Sequence, residues 1–485
     1  MDNIVVNWTF VVAFIAILLA ASVFGLRRVK NYTDYNLAGR KTRLFPLVAT
    51  LGAAEFNTAT LIGGAGVAYT YGAVGMWYTA LIFLVVFGFY ALTVAKRYRR
   101  LQIKTIAEFF DHRFGGRCRE PLRILVTLIT ATNAWLLPAT YVAGLALIGE
   151  ILLGVSALAM AIGVTLLAII ISVGGGLFSA IAADVVAFVM FVVGLPIVFV
   201  IGWQSAGGFG ALQTVYEPRL LSLEPIWDLP SYGFGVVLTW GLSVTMSYIA
   251  SPWYGQRIFS ARDERTAVRA MAINTFSVTA LYALAVGATM FARVALPPVS
   301  EPETALPRLI RDFAPPVLQG FLLVTLLLVG TSTIVAMMNA GANIATNDFV
   351  RRYLVKNASD RVYTNVGRIC LLLIGTLTIF FARTFIGNIL LAVLYISVYL
   401  VQLAVPILAG FYWRRFNTIS ALAGLVSGCI YVTIALSLDL REELIAPVGL
   451  LINIVVAIGA ALIMPRATDV GTKNSFFKEA GEPLG

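Results

Sequence analysis

Gly52-Ala53-Ala54-Glu55-Phe56-Asn57-Thr58-Ala59-Thr60, with Gly63, Gly64 and Gly66 close behind, interrupts a long apolar run with a carboxylate, an amide, hydroxyls and glycines. Such residues are costly in hydrocarbon and weaken a regular helix, so at membrane depth they line a cavity and mark an ion or ligand site. The stretch predicts a discontinuous membrane helix in a protein that carries something across a bilayer.

Its surroundings agree. The 485 residues are 59% hydrophobic and 12% charged, beyond the needs of a soluble core. Apolar stretches of about 20 residues predict thirteen spans, near 7–27, 45–69, 72–95, 122–149, 155–174, 178–203, 232–255, 270–295, 317–347, 364–382, 385–412, 418–437 and 446–464. The expected fold is an all-α polytopic membrane protein embedded in the lipid bilayer. A net charge of +11 could suggest nucleic acid, but the cations are placed for a membrane. With the N-terminus outside, inward segments hold 29 of the 35 Lys and Arg, leaving Arg219, Arg293, Arg308, Arg311, Arg383 and Arg441 outside. That is the positive-inside asymmetry, and thirteen crossings put the C-terminus in the cytoplasm.

Several function classes drop out. The first span is expected to remain as a helix, since Met1-Asp2-Asn3 lacks a basic leader and Arg27, Arg28 and Lys30 follow the span. Cys118, Cys370 and Cys429 are scattered and suggest neither a disulfide framework nor a metal site. His112 is the sole histidine, which argues against a hydrolytic triad or a histidine-held metal, and no phosphate-binding Gly-rich loop with Lys-Ser/Thr appears. Neither enzyme activity nor a cofactor is expected.

Between an N-terminal segment (1–42) and a pair of peripheral helices (413–465) with a polar tail (466–485) lie two five-span blocks, 43–204 and 231–412. Each begins with an interrupted helix, the second at Ser247-Tyr248-Ile249-Ala250-Ser251-Pro252-Trp253-Tyr254-Gly255. An odd number of spans per block inverts the second relative to the first. Paired broken helices in inverted repeats point to a secondary transporter with its site at the midplane, because unwinding frees backbone carbonyls and half-helix ends for ions and solute.

Several segments resemble the sodium/solute symporter family. Tyr35-Asn36-Leu37-Ala38-Gly39-Arg40-Lys41 is similar to the family's stretch before its first core helix, and Ile62-Gly63-Gly64-Ala65-Gly66-Val67-Ala68-Tyr69 to the end of that helix. More specific is the run Ala305-Leu306-Pro307-Arg308-Leu309-Ile310, Pro315-Pro316, Gly320, Thr331-Ser332-Thr333 and Thr346-Asn347-Asp348-Phe349. The resemblance implies a five-plus-five inverted-repeat core with discontinuous first helices, working by alternating access. It also implies sodium as co-substrate, held by the carbonyls of Ala53, Phe56 and Val329 and the hydroxyls of Ser332 and Thr333. Taken alone, such hydroxyls more often bond back to the carbonyl four residues earlier.

The chain departs from the family pattern in two places, around Asp184 and at Glu55. Asp184 aligns with an aspartate that in some relatives serves a second sodium site or proton movement; a structural hydroxyl partner is the plainer alternative. Val329 replaces a hydroxyl of the two-sodium relatives, and Ala187 replaces their common glutamine, so one sodium per cycle is expected. Glu55 stands where many relatives have asparagine. Ionised, it could strengthen sodium binding or meet a cationic solute; with a raised pKa it could carry a proton; a hydrogen-bonded structural carboxyl is the alternative. Solute contacts are expected from Glu55, Asn57, Thr60, Asn133, Trp240, Ser243, Tyr248 and Tyr395, each of which could equally be helix packing. Trp253, Tyr254, Gln256 and Arg257 fit a cytoplasmic gate.

The sequence thus predicts sodium-driven uptake of a small organic solute through a bacterial inner membrane by a protein working as a monomer. Glu55 inclines the choice of solute towards an amine. Proton coupling through Glu55 or Asp184, and a solute sensor acting through a separate signalling partner, are the competing readings.

Overall fold

The computed structural model describes residues 3–227, 234–385, 389–463 and 476–480. Arg466 and Lys473, in the expected tail, lie outside the described residues. Among those described, every regular element is helical, and β-type pairing is confined to an isolated bridge between Thr42 and Ala261. Ten helices are long and apolar enough to cross a membrane, or twelve when each of two sharply bent helix pairs counts as one span.

Thirteen spans were expected, and the difference lies in Ala157–Ala206. The stretches read as 155–174 and 178–203 run as one assigned helix of 50 residues, turned at Gly176, where φ is 54° and ψ is −132°. Straight, such a helix would reach about 75 Å against a ~30 Å hydrocarbon core. Both sides of the turn meet the same end of Asn3–Leu26: the Ser22 hydroxyl donates to the carbonyls of Ile170 and Ile171, and the Ser179 hydroxyl donates to that of Ser22. Near the other end, Asn7 donates to the Leu152 carbonyl.

Local chemistry explains the two bent pairs. In the first, Leu44–Glu55 and Thr60–Val74 meet at 60°. Phe56 leaves the helical region (φ −63°, ψ 108°), and Asn57 bridges the gap. Its amide donates to the Glu55 carbonyl at 2.9 Å and its side-chain oxygen accepts the Thr60 N–H at 2.8 Å, the cap that restarts a helix. In the second, Phe234–Ile249 and Pro252–Ser260 meet at 47°. Pro252 supplies no N–H and disfavours the helical region for its predecessor, so Ser251 is extended (φ −62°, ψ 117°).

Burial separates core from periphery. The apolar window of the helix pair running Pro316–Leu354 is 94% buried, whereas those of Ile4–Leu26, Thr418–Ser437 and Leu444–Ile463 are 33%, 39% and 39% buried. The outer helices therefore turn bulky apolar side chains such as Ile15, Ile430 and Leu462 outward, as contact with lipid requires. Pro316–Ile344 packs against Leu44–Glu55, Arg119–Leu153 and Ala157–Ala206, which brings Ser332 and Thr333 to the first break.

Candidate functional site

The break after Glu55 leaves carbonyls without helical partners, and Pro316–Ile344 answers them with hydroxyls. Ser332 Oγ donates to the Ala53 carbonyl at 2.9 Å and lies 2.8 Å from that of Leu328. Thr333 Oγ1 lies 2.8 Å from the Phe56 carbonyl and 3.1 Å from that of Val329. Back-bonding within the helix and contact with the broken helix thus coexist. The structure brings together all five expected residues, Ala53, Phe56, Val329, Ser332 and Thr333, and buries each of them. Several neutral oxygens on two separate elements form a donor set suited to a hard monovalent cation.

Glu55 ties the two broken helices to each other. Its Oε2 accepts from the Tyr248 hydroxyl at 2.6 Å, before the second break, and from the Tyr254 hydroxyl at 2.8 Å, after it. Tyr254 also lies 3.0 Å from the Leu51 carbonyl, and Tyr282 donates to the Glu55 carbonyl at 3.1 Å. The other carboxylate oxygen is buried without a hydrogen-bond partner among the described residues.

Beside this junction opens a cavity between the two broken helices and their neighbours. Of the expected solute contacts, Asn57, Thr60, Trp240, Ser243 and Tyr248 line it, and Glu55 reaches it through Tyr248. Asn133 and Tyr395 do not. Asn133 is buried with neither amide atom bonded among the described residues, while Tyr395 packs beside Val398 and Val401 at the C-terminal peripheral helices. Sequence reasoning missed Tyr141, Ser247 and Ser397 on the wall. Ser247 was within reach of it, since it lies one helical turn beyond Ser243.

Asp184 is shielded from solvent and half answered, its Oδ1 having no hydrogen-bond partner among the described residues. Its Oδ2 accepts from Arg257 Nη2 at 2.9 Å and from the Thr50 hydroxyl, and Arg257 Nε donates to that same hydroxyl at 2.8 Å. All three residues are fully buried, so the expected gate residue Arg257 and the expected coupling residue Asp184 are partners. The end of the molecule carrying the basic loops is closed nearby. Thr42 N donates to the Ser260 carbonyl, Arg262 N to that of Thr42, Tyr98 to that of Ile249 and Gln256 to that of Asn36. Arg100 pairs with Glu264 at 2.6 Å. In the loop beside this closure, burial pushes the Arg40 guanidinium down to about 10.

Known proteins share this architecture. The sequence profile of the sodium:solute symporter family matches residues 35–428. The chain is 26% identical over 437 residues to a sodium/glucose cotransporter of Vibrio parahaemolyticus, covering 82% of this chain and 78% of that one. It is 24% identical over 474 residues to an osmoregulated proline transporter of Bacillus subtilis, covering 93% and 94%. A solved Na+-coupled sialic acid symporter, substrate-bound and outward-open, superposes with a TM-score of 0.85 at 17% identity, covering 96% of this chain and 99% of that one.

Proposed function

The chain belongs to the sodium:solute symporter family, and from that premise we propose that it imports a small organic solute with sodium, by alternating access. The carrying observation is the convergence of Ser332 and Thr333 on the carbonyls of Ala53 and Phe56. In this reading those four residues and Val329 hold sodium. The ion replaces the hydroxyl protons as the partner of the free carbonyls and fixes Pro316–Ile344 against the first broken helix. The blocks 43–204 and 231–412 act as inverted repeats that rock about the two breaks. Solute bound among Asn57, Thr60, Trp240, Ser243 and Tyr248 permits closure above it, and release of the stitches at Thr42, Tyr98 and Gln256 opens the inner side. Asp184 already faces a guanidinium, which supports one sodium per cycle.

The driving force suffices. One charge crossing 100 mV contributes about 2.3 kcal/mol, and a tenfold sodium gradient adds about 1.4, together enough for accumulation of a few hundred-fold. The site belongs to a bacterial inner membrane, with the N-terminus outside and the C-terminus in the cytoplasm. The relatives' solutes, glucose and proline, differ in chemistry, so they leave the solute of this chain to its own cavity.

The unpartnered oxygen of Glu55 favours one alternative, proton coupling. Thermal unfolding of the purified protein, with sodium replaced by potassium at fixed pH, separates the two. A sodium-specific stabilisation, with apparent sodium affinity at least about tenfold weaker in Ser332→Ala/Thr333→Ala, is expected. Stabilisation indifferent to sodium but dependent on pH, and abolished by Glu55→Gln, would transfer the coupling to protons. Solute binding without flux in proteoliposomes would instead favour a sensor.

A further inference from the structure

Resting on the symport reading, we propose that the solute is a cation, a quaternary or protonated amine received in an aromatic cage backed by Glu55. Five aromatic side chains, Phe83, Tyr141, Trp240, Tyr248 and Trp253, line the cavity, and among the described residues no charged one does. A cage of ring faces with no competing cation is the surrounding that a desolvated ammonium group prefers.

Several polar groups on the wall are already engaged within the protein, which favours a solute held by ring faces. Asn57 spends its side chain on the Glu55 carbonyl and the Thr60 N–H, Trp240 Nε1 donates to the Tyr78 carbonyl, and Ser247 donates to that of Val244. The Tyr248 hydroxyl gives its proton to Glu55. What the cavity offers a solute is its five ring faces, the hydroxyls of Tyr141, Ser243 and Ser397, and the field of a carboxylate one tyrosine away. An anionic solute meets that field with the wrong sign. Arg257, the guanidinium nearest in sequence to the second break, is consumed by Asp184 and Thr50. Glu55 Oε2 accepts from the Tyr248 hydroxyl, so a cation held against the Tyr248 ring lies one hydrogen bond from that carboxyl group.

The test uses the full-length protein in sodium, read by thermal shift. The probes are choline and its neutral carbon isostere dimethylbutanol, putrescine and butanediol, with glucose and lactate as uncharged and anionic references. At least one cation is expected to stabilise the protein at concentrations about tenfold or more below its neutral counterpart. Glu55→Gln should shrink that preference to within about threefold, and Trp240→Leu, which removes a wall but keeps the carboxylate, should weaken the cation in the same direction. The proposal is overturned if neutral or anionic probes stabilise as well as the cations, or if no cation acts on a protein that still responds to sodium. Absence of any sodium response removes the symport reading itself, and this proposal falls with it.

Discussion

A guanidinium with no access to water is tolerable only when its neighbours answer it, and Arg257 is answered by Asp184, the hydroxyl and carbonyl of Thr50 and the Trp253 carbonyl. Removing one member of such a pair leaves an uncompensated buried charge, which typically costs about 3–5 kcal/mol, while removing both can be nearly neutral. Asp184→Leu and Arg257→Leu alone should therefore each lower the unfolding temperature in detergent markedly, and the double variant should recover a large part of the loss. If the losses instead add, the two do not act as a pair. Asp184 was legible as a carboxylate in an apolar run, but its partner was not. Nothing local links positions 184 and 257, and the packing of both Ala157–Ala206 and Pro252–Ser260 against Leu44–Glu55 brings them together. Ser332 and Thr333 were legible for the opposite reason, because their motif fixes both the hydroxyls and the broken helix they face. The wall residue Tyr141 carried no such local mark.

At the scale of elements, the interruptions do most to shape the molecule, and each rests on a different residue type. Asn57 caps, Pro252 withholds a donor, and Gly176 supplies a left-handed backbone angle. The first two were readable from composition, since amide, proline and glycine residues announce a break. The third marks where two spans were expected, but its left-handed backbone could not be inferred from apolar length alone. A Cβ at Gly176 would sit 2.3 Å from the Tyr35 carbonyl oxygen and 2.9 Å from its ring, at φ +54°. The backbone angle alone costs a non-glycine residue about 1–2 kcal/mol, and the carbonyl cannot move without dragging the Tyr32–Leu37 helix. Gly176→Ala should melt several degrees below wild type. Gly163→Ala, in the same helix with nothing within 4 Å of the new methyl, should melt at or slightly above it, since alanine is favoured over glycine in a helix by about 1 kcal/mol. Equal melting of the two variants would mean that the turn at Gly176 is not required.

For the whole molecule, the distribution of charge decides which way round the fold sits. The segments expected to face inward do more than offer charge to lipid. Arg123 joins Asp111 at 2.6 Å to Asp348 at 2.8 Å, and Arg352 joins Asp111 to Glu120, so the segment after the third span is fastened to the end of the Pro316–Leu354 pair. Such a network needs several cations and carboxylates on one side, and the positive-inside bias predicts that side to be the cytoplasm. The native cysteines supply the test. Cys118 is partly exposed in this region, Cys370 is buried, and Cys429 lies half-buried on Thr418–Ser437, an expected membrane span. A membrane-impermeant maleimide applied to intact cells should leave the wild type unlabelled and should label it at Cys118 once the cells are permeabilised. Glu217→Cys, at an exposed position in the long connection after Ala157–Ala206, should be labelled on intact cells. Labelling of Cys118 from outside, with Glu217→Cys protected until permeabilisation, would invert the molecule.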